Sequence, residues 1–416
     1  MEVEFRFEGD LFETEDQRNW TDGSYKTYCT PVDRPAPVEL ERGDRVVQSV
    51  SVSVERRETA DGSAGTGLGA GAGAGGSTPR PTPFVRLRAA RTDSGRKEPE
   101  GRLPRLGLEI VAPEDWTAVH RERLEALELD HARIEVHADE ADWRSQFESR
   151  AQAALELGAD LEVAVFADAF SSQTGGDVAS ALETVSDSLA RVLVYPPMYG
   201  DRGWVSDADL LMGAREELSP VIDGAPLFGG TNAYFADLNG SYPEAEGIDG
   251  YAYSINPQVH AFDNRSMVET LQAQGETVTT AKAAASDPAV AVSPLTLHPR
   301  FNPDAGGPPP KPAPGELPYE VDPRQATLFG AAWTYASIGA LGEAGCDSTT
   351  YFRAVGGDGL MPGTDVAGHS AWPLDVDGGV HPLYHALADL APRSDAALES
   401  WISDRPLRVR AFSLRT

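Results

Sequence analysis

Four polar side chains of different chemistry, Asn256, Gln258, His260 and Asp263, fall within the eleven residues Tyr253-Ser-Ile-Asn-Pro-Gln-Val-His-Ala-Phe-Asp263. An amide both donates and accepts, an imidazole titrates near neutrality, and a carboxylate can fix its tautomer. Such a set suits proton transfer beside a hydroxyl-bearing ligand. It follows a β-rich run, Gly250 to Ile255, and precedes a helix start. In parallel β/α proteins the carboxyl ends of strands are where ligands bind. The plain alternative is a turn opened by Asn-Pro, with Asp263 capping the next helix. A turn alone does not need an amide, an imidazole and a carboxylate together, which favours a site.

Counting the elements that must hold this cluster gives the fold. From Leu106 onward short apolar runs alternate with helical stretches. The strands expected are 106–111, 132–136, 161–167, 191–195, 226–230, 250–255, 290–297 and 348–354. Helices are expected at 116–129, 143–157, 177–190, 207–218, 266–274, 324–341 and 382–390, with a weaker interval at 232–249. Eight strand–helix units over about 290 residues have the size and count of a TIM (β/α)8 barrel. A doubly wound sheet is the rival, but no Gly-x-Gly-x-x-Gly follows the first strand.

That arrangement sets further groups at strand tips: Glu109, His137, Asp139, Asp168, Tyr195, Thr231, Asn232, His298, Tyr351 and Arg353. Two carboxylates among Glu109, Asp139 and Asp168 would allow glycosidase chemistry. His137, Asp139, Asp168 and His298 are metal-ligand types without tight ligand spacing, so no metal is expected. The connection from His298 to Pro318 is long and proline-rich, as a lid over the mouth would be, or a loose spacer. Glu269 has capping-box spacing from Ser266 and is set aside.

Before the barrel, Val3–Phe7 and Arg45–Val54 alternate as strands, and 62–83 is a Gly-Ala-rich low-complexity insert. Residues 1–103 are read as a partial β-rich region, 104–395 as the barrel and 396–416 as the start of a further β region. Around Trp20, the stretch Phe12-Glu-Thr-Glu-Asp-Gln-Arg-Asn-Trp20 through Cys29 mixes many polar groups, and Arg18, Asn19 and Trp20 are candidate ligand contacts.

The net charge is −30, and four of the 35 basic residues are Lys. So negative a surface argues against nucleic acid and against anionic membranes. It stays soluble where salt screens self-repulsion, although GC-rich coding also exchanges Lys for Arg. Cys29 and Cys346 are far apart, which gives neither a disulfide framework nor a Cys-based zinc motif. No signal peptide or apolar span is visible, so a cytoplasmic location is expected.

Glu15-Asp-Gln-Arg-Asn-Trp-Thr-Asp22, Lys26-Thr-Tyr-Cys29, Gly230-Thr-Asn-Ala-Tyr234 and Asn256-Pro-Gln-Val-His260 together resemble the D-apionate lactonase family. The resemblance covers most of the chain. It implies a central glycosidase-like TIM barrel flanked by β-rich domains, and hydrolysis of D-apionolactone to D-apionate in carbohydrate catabolism; no cofactor is expected. Members look longer at both ends, so the chain reads as truncated, and Arg353 stands where an acidic residue is expected.

On this reading a small carbohydrate-derived lactone is attacked by water that His260, oriented by Asp263, or Glu109 deprotonates. Asn232, Asn256 and Gln258, with Arg18, Asn19, Trp20 and Tyr351, would hold hydroxyls or the oxyanion. No Gly-x-Ser-x-Gly elbow is present, which favours activated water over an acyl-enzyme. A glycoside hydrolase and a non-catalytic carbohydrate-binding relic stay open as alternatives.

Overall fold

The apolar runs of residues 105–355 become eight parallel strands: β1 (Arg105–Glu109), β2 (His131–His137), β3 (Asp160–Phe166), β4 (Leu189–Tyr195), β5 (Leu227–Tyr234), β6 (Gly250–Ile255), β7 (Ala289–Leu295) and β8 (Ser348–Val355). Neighbours pair in sequence order, and β8 pairs with both β7 and β1, so the sheet closes into a TIM barrel. This computed structural model describes residues 2–23, 26–31, 34, 39–55, 85–89, 101–199, 203–243, 247–285, 287–305, 307–370, 372 and 378–415. The insert at 62–83 lies outside them.

Helices cover the outside: α1 (Ala118–Glu125), α2 (Trp143–Glu156), α3 (Ser172–Glu183), α4 (Ala208–Leu218), α5 (Phe235–Gly240), α6 (Asn264–Glu269), α7 (Leu271–Ala284), α8 (Leu328–Glu343) and α9 (Pro382–Leu390). Side-chain hydroxyls or carboxylates start several of them: Thr117 accepts from His120 N, Ser171 from Thr174 N and Asp207 from Leu210 N. Each satisfies a backbone donor that would otherwise be orphaned. α5 is the weak interval at 232–249, a helix of only six residues.

Two apolar cores result from the strand alternation. One fills the space between sheet and helices; the other, Ala164, Phe166, Leu193, Tyr195, Phe228, Ala252 and Ala291, fills the barrel interior. Beside that inner core lies a buried polar layer. Glu162 Oε2 accepts from Arg191 Nη1 at 2.7 Å, and its Oε1 from Thr350 Oγ1 at 2.8 Å and from Ser293 Oγ. Burial raises the Glu162 carboxyl, but His131, Arg191 and Arg133 outweigh it and bring it to about 2, so it stays ionised.

β5 needs a glycine where it turns toward the mouth. Gly230 has φ +147°, and a Cβ there would overlap the carbonyl oxygen of Ala252 on β6. Gly230→Ala is therefore expected to cost more than about 3 kcal/mol in urea unfolding. A loss under about 1 kcal/mol would show that β5 gives way there.

Residues 397–415 do not stand apart from the barrel unit. Ala397–Ser403 pairs with Ala411–Arg415, Leu87–Ala89 and Gly101–Arg102 in an antiparallel sheet. The chain forms two compact units, one of residues 17–24 and 86–416 and the other of residues 1–16 and 25–85, whereas the sequence places boundaries at 103 and 395. In the second unit Glu2–Glu8 pairs antiparallel with Ser49–Glu55, setting Val3, Phe5 and Phe7 opposite Val54, Val52 and Val50. Among the described residues no helix is long and apolar enough to cross a membrane.

Candidate active site

The inward face of β2 carries His131, Arg133, Glu135 and His137 at alternate positions; His131 joins the buried Glu162 layer at the start of the strand, and Arg133, Glu135 and His137 lead from there up to the mouth. Arg133 is fully buried. Its Nη1 donates to Ser293 Oγ at 2.9 Å, and its Nη2 to Glu135 Oε1 at 2.9 Å and Asn232 Oδ1 at 3.0 Å. Arg300, from the connection after β7, repeats this grip from above, donating to Glu135 Oε1 at 3.0 Å and Asn232 Oδ1 at 2.6 Å. Glu135 Oε2 lies 3.3 Å from His137 Nε2, and the imidazole stacks on Phe166 with centroids 4.5 Å apart.

Two guanidinium donors on one atom of Asn232 identify that atom as the amide oxygen. The Nδ2 group is then left buried with no protein partner, and the hydroxyl of Tyr195 at the tip of β4, whose oxygen faces the Arg133 guanidinium, has no acceptor for its proton. An unpaired buried donor is costly unless something passing through the site uses it. Burial holds the Tyr195 phenol above its ordinary range, so it remains a donor. Burial pushes the Glu135 carboxyl up, but Arg300, the His137 hydrogen bond and Arg133 bring it well below the usual carboxylate value. Burial pulls His137 down, yet bonding to Glu135 and that residue's charge raise it overall. The pair is thus a carboxylate beside an imidazole poised to gain and lose a proton.

Asn232 and Asn256 come together on the wall of a hollow of about 20 Å³, with Ser254, Thr296, Arg300 and Phe301. Over it Tyr199, Trp204 and Phe301 form an aromatic cluster, with Trp204 and Phe301 centroids 5.6 Å apart. The connection leaving β7 thus reaches into the mouth through Arg300.

His260 sits one ring further out. Its Nδ1 is 3.3 Å from Asp22, and its ring meets the edge of Trp20, which in turn packs on Tyr234 of the hollow. Asp22, not Asp263, is therefore the carboxylate beside this imidazole. Asp263 caps α6, accepting from the backbone of Arg265 and Ser266 and from Ser266 Oγ. These hydrogen bonds keep its carboxyl low.

Gln258 is buried and consumed by structure: Nε2 donates to Asp322 Oδ2 at 2.7 Å and to Leu297 O, and Oε1 accepts from Arg324. Arg18 donates to Thr280 Oγ1 at 2.7 Å, away from the mouth on α7; Asn19 is half-buried on the same one-turn helix, Gln17–Trp20. Tyr351 faces outward and exchanges a hydrogen bond with Ser337 of α8 at 2.8 Å. A register break between Thr350 and Arg353, with Phe352 at φ +48°, accompanies the switch that brings Arg353 to the mouth. There its Nε is 3.8 Å from Glu109.

Glu135, Arg133 and Arg300 are the residues that strand-tip reasoning passes over. The signal was present in His131-Ala-Arg-Ile-Glu-Val-His137, where every second residue is polar: a period of two inside a barrel strand means polar groups pointing inward. Arg300 carries no such signal, because its position depends on the path of a connection. Among the described residues no group of three or more His, Cys, Asp or Glu is gathered as a metal requires.

Residues 108–395 match the model of the D-apionate lactonase TIM barrel domain, and residues 1–57 that of the D-apionate lactonase N-terminal domain. The chain belongs to the D-apionate lactonase family. A D-apionate lactonase of Brucella anthropi is 26% identical over 99% of this chain. The chain spans 64% of the length of that relative. The barrel also resembles AbfB, a family 51 alpha-L-arabinofuranosidase from Bifidobacterium longum, with a TM-score of 0.50 at 12% identity over 77% of this chain and 79% of that one. At that identity the likeness speaks for the fold alone. A family 39 glycoside hydrolase from Bacteroides cellulosilyticus WH2 superposes less closely, with a TM-score of 0.44 at 14% identity over 73% and 69% of the two chains. The D-apionate lactonase family is one of hydrolases.

Proposed function

We propose that this chain hydrolyses a sugar lactone, D-apionolactone to D-apionate, with Glu135 and His137 as the proton-handling pair. The observation that carries the reading is the 3.3 Å contact of Glu135 with His137 beside two buried, unused donors, Asn232 Nδ2 and Tyr195 OH. With Nε2 committed to Glu135, Nδ1 of His137 takes a proton from water as the water oxygen attacks the lactone carbonyl. The carbonyl oxygen gains negative charge, for which Asn232 and Tyr195 are the donors. On collapse the ring C–O bond breaks, the alkoxide takes the proton back from His137, and the product is a hydroxy acid. Asn256 and the Trp20–His260–Asp22 group shape the wall on the β6 side.

A glycosidase using paired carboxylates fits less well, because its acid must keep a proton near neutrality. Glu135 is driven the other way by two guanidinium groups. Purified protein should accelerate D-apionolactone hydrolysis above the spontaneous rate, followed by acid release. Tyr195→Phe is expected to lower kcat by about 10- to 1,000-fold, the range for losing one oxyanion donor. Because the base must be unprotonated, kcat/KM should rise with pH through a value above 6.5, the ordinary imidazole figure. Spontaneous-rate hydrolysis across the whole pH range would end this reading.

A further inference from the structure

A second cavity of about 400 Å³ opens between the tips of β1 and β8. It has the volume of a small-ligand site. Trp116 and Thr117, from the loop entering α1, form one wall, and Glu320, from the long connection after β7, another. Arg353 lies between them, bonded to Glu320 at 3.4 Å and facing Glu109. Among the described lining residues the charged groups are Asp115, Glu320, Asp365 and Arg353, so carboxylates outnumber the guanidinium. His120 also lines the cavity, and its Nδ1 accepts from Thr117 N.

The wall is open to one more acid. Gly356 lines the cavity, and a side chain there would come within 3.2 Å of Asp358 Oδ1 and 3.7 Å of Asp365 Oδ2. Asp358 is 2% exposed; neither of its carboxyl oxygens has a hydrogen-bond partner, and Oδ2 stands 3.4 Å from Arg353 Nε as an ion pair. Carboxyl groups and a guanidinium around an indole suit vicinal hydroxyls, which donate to one and accept from the other while C–H groups lie on the ring. The excess of negative charge disfavours any anion.

We infer that this cavity is an entry subsite for the uncharged, polyhydroxylated form of the substrate, and that its carboxylates reject the ring-opened acid. The inference rests on the lactone-hydrolysis reading for what the substrate and product are. It adds a direction to the cycle, because opening the ring creates a carboxylate that the vestibule repels.

The test is calorimetric binding to the full chain, comparing D-apionate with the uncharged parent aldose of the same carbon skeleton, which has no ester to cleave. The aldose should bind at least about tenfold more tightly than the acid. In Glu320→Gln and in Asp365→Asn, made separately, the gap should narrow by roughly fivefold, the scale of a partly screened charge pair. High salt should narrow it in the unaltered protein. Equal binding of acid and aldose, no binding of either, or an unchanged ratio in both folded variants would overturn the inference. If the ratios behave as stated while D-apionolactone is left intact, the lactonase reading falls and the subsite stands.

Discussion

Glu135→Gln is expected to lower kcat for lactone hydrolysis about 1,000-fold or more, the scale seen when a buried carboxylate that orients a catalytic imidazole is made neutral. The same change should destabilise the fold by about 3 kcal/mol, because Arg133 and Arg300 lose the charge they share. His137→Gln separates the two effects: it should match the loss in kcat while leaving urea stability within about 1 kcal/mol, since His137 sits at the rim and holds no buried guanidinium. Initial rates and unfolding curves on both variants decide the matter. A Glu135→Gln protein that is destabilised yet turns over normally would reduce Glu135 to a structural tie.

The second large effect concerns pH and stability. Burial raises the Asp358 carboxyl to about 7, since Arg353, at 3.4 Å, is shared with Glu109 and Glu320 and cannot hold Asp358 ionised by itself. A folded value above the unfolded one of 3.8 means that folding favours the protonated form. The stabilisation is complete below 3.8 and is lost as pH rises through about 7. Asp358→Asn cannot ionise, so its stability should fall less between about pH 5 and about pH 8, gaining on the order of a few kcal/mol over the parent at the upper end. Loss of a counter-charge from Arg353 offsets part of that gain. Parallel slopes in the two proteins would show that Asp358 is ionised throughout.

The barrel was legible because its strands are short apolar runs separated by helix starts, and a strand such as Gly250–Ile255 is the same in sequence and in structure. Helix ends were less legible: α3 begins at Ser172 rather than 177, where Ser171 supplies the cap. The site was half legible. Asn232 and Asn256 share a wall because both follow strand tips, a matter of counting. Tyr351 was assigned to the wrong face because parity along β8 changes at the irregular pairing around Phe352, which no alternation in the sequence reveals. Gln258 and Asp263 look like chemistry by residue type alone, but loops must satisfy their own backbone and charges, and Asp322, Arg324 and Ser266 take both of them up. The Trp20 segment carried the opposite lesson: its position beside Tyr234 and His260 depends on a long-range return of the chain that only the fold provides.

The hollow between Asn232, Asn256 and Arg300, at about 20 Å³, is the volume of a single solvent molecule. A five-membered lactone ring cannot reach the amide of Asn232 while Arg300 and Phe301 stay where they are. On the lactonase reading, admitting such a ring requires that chain segment to swing, and withdrawing Arg300 would take one of two positive partners from Glu135. Admission and the basicity of the imidazole would then be tied to one segment, and choice among ligands would be made there before any bond is strained.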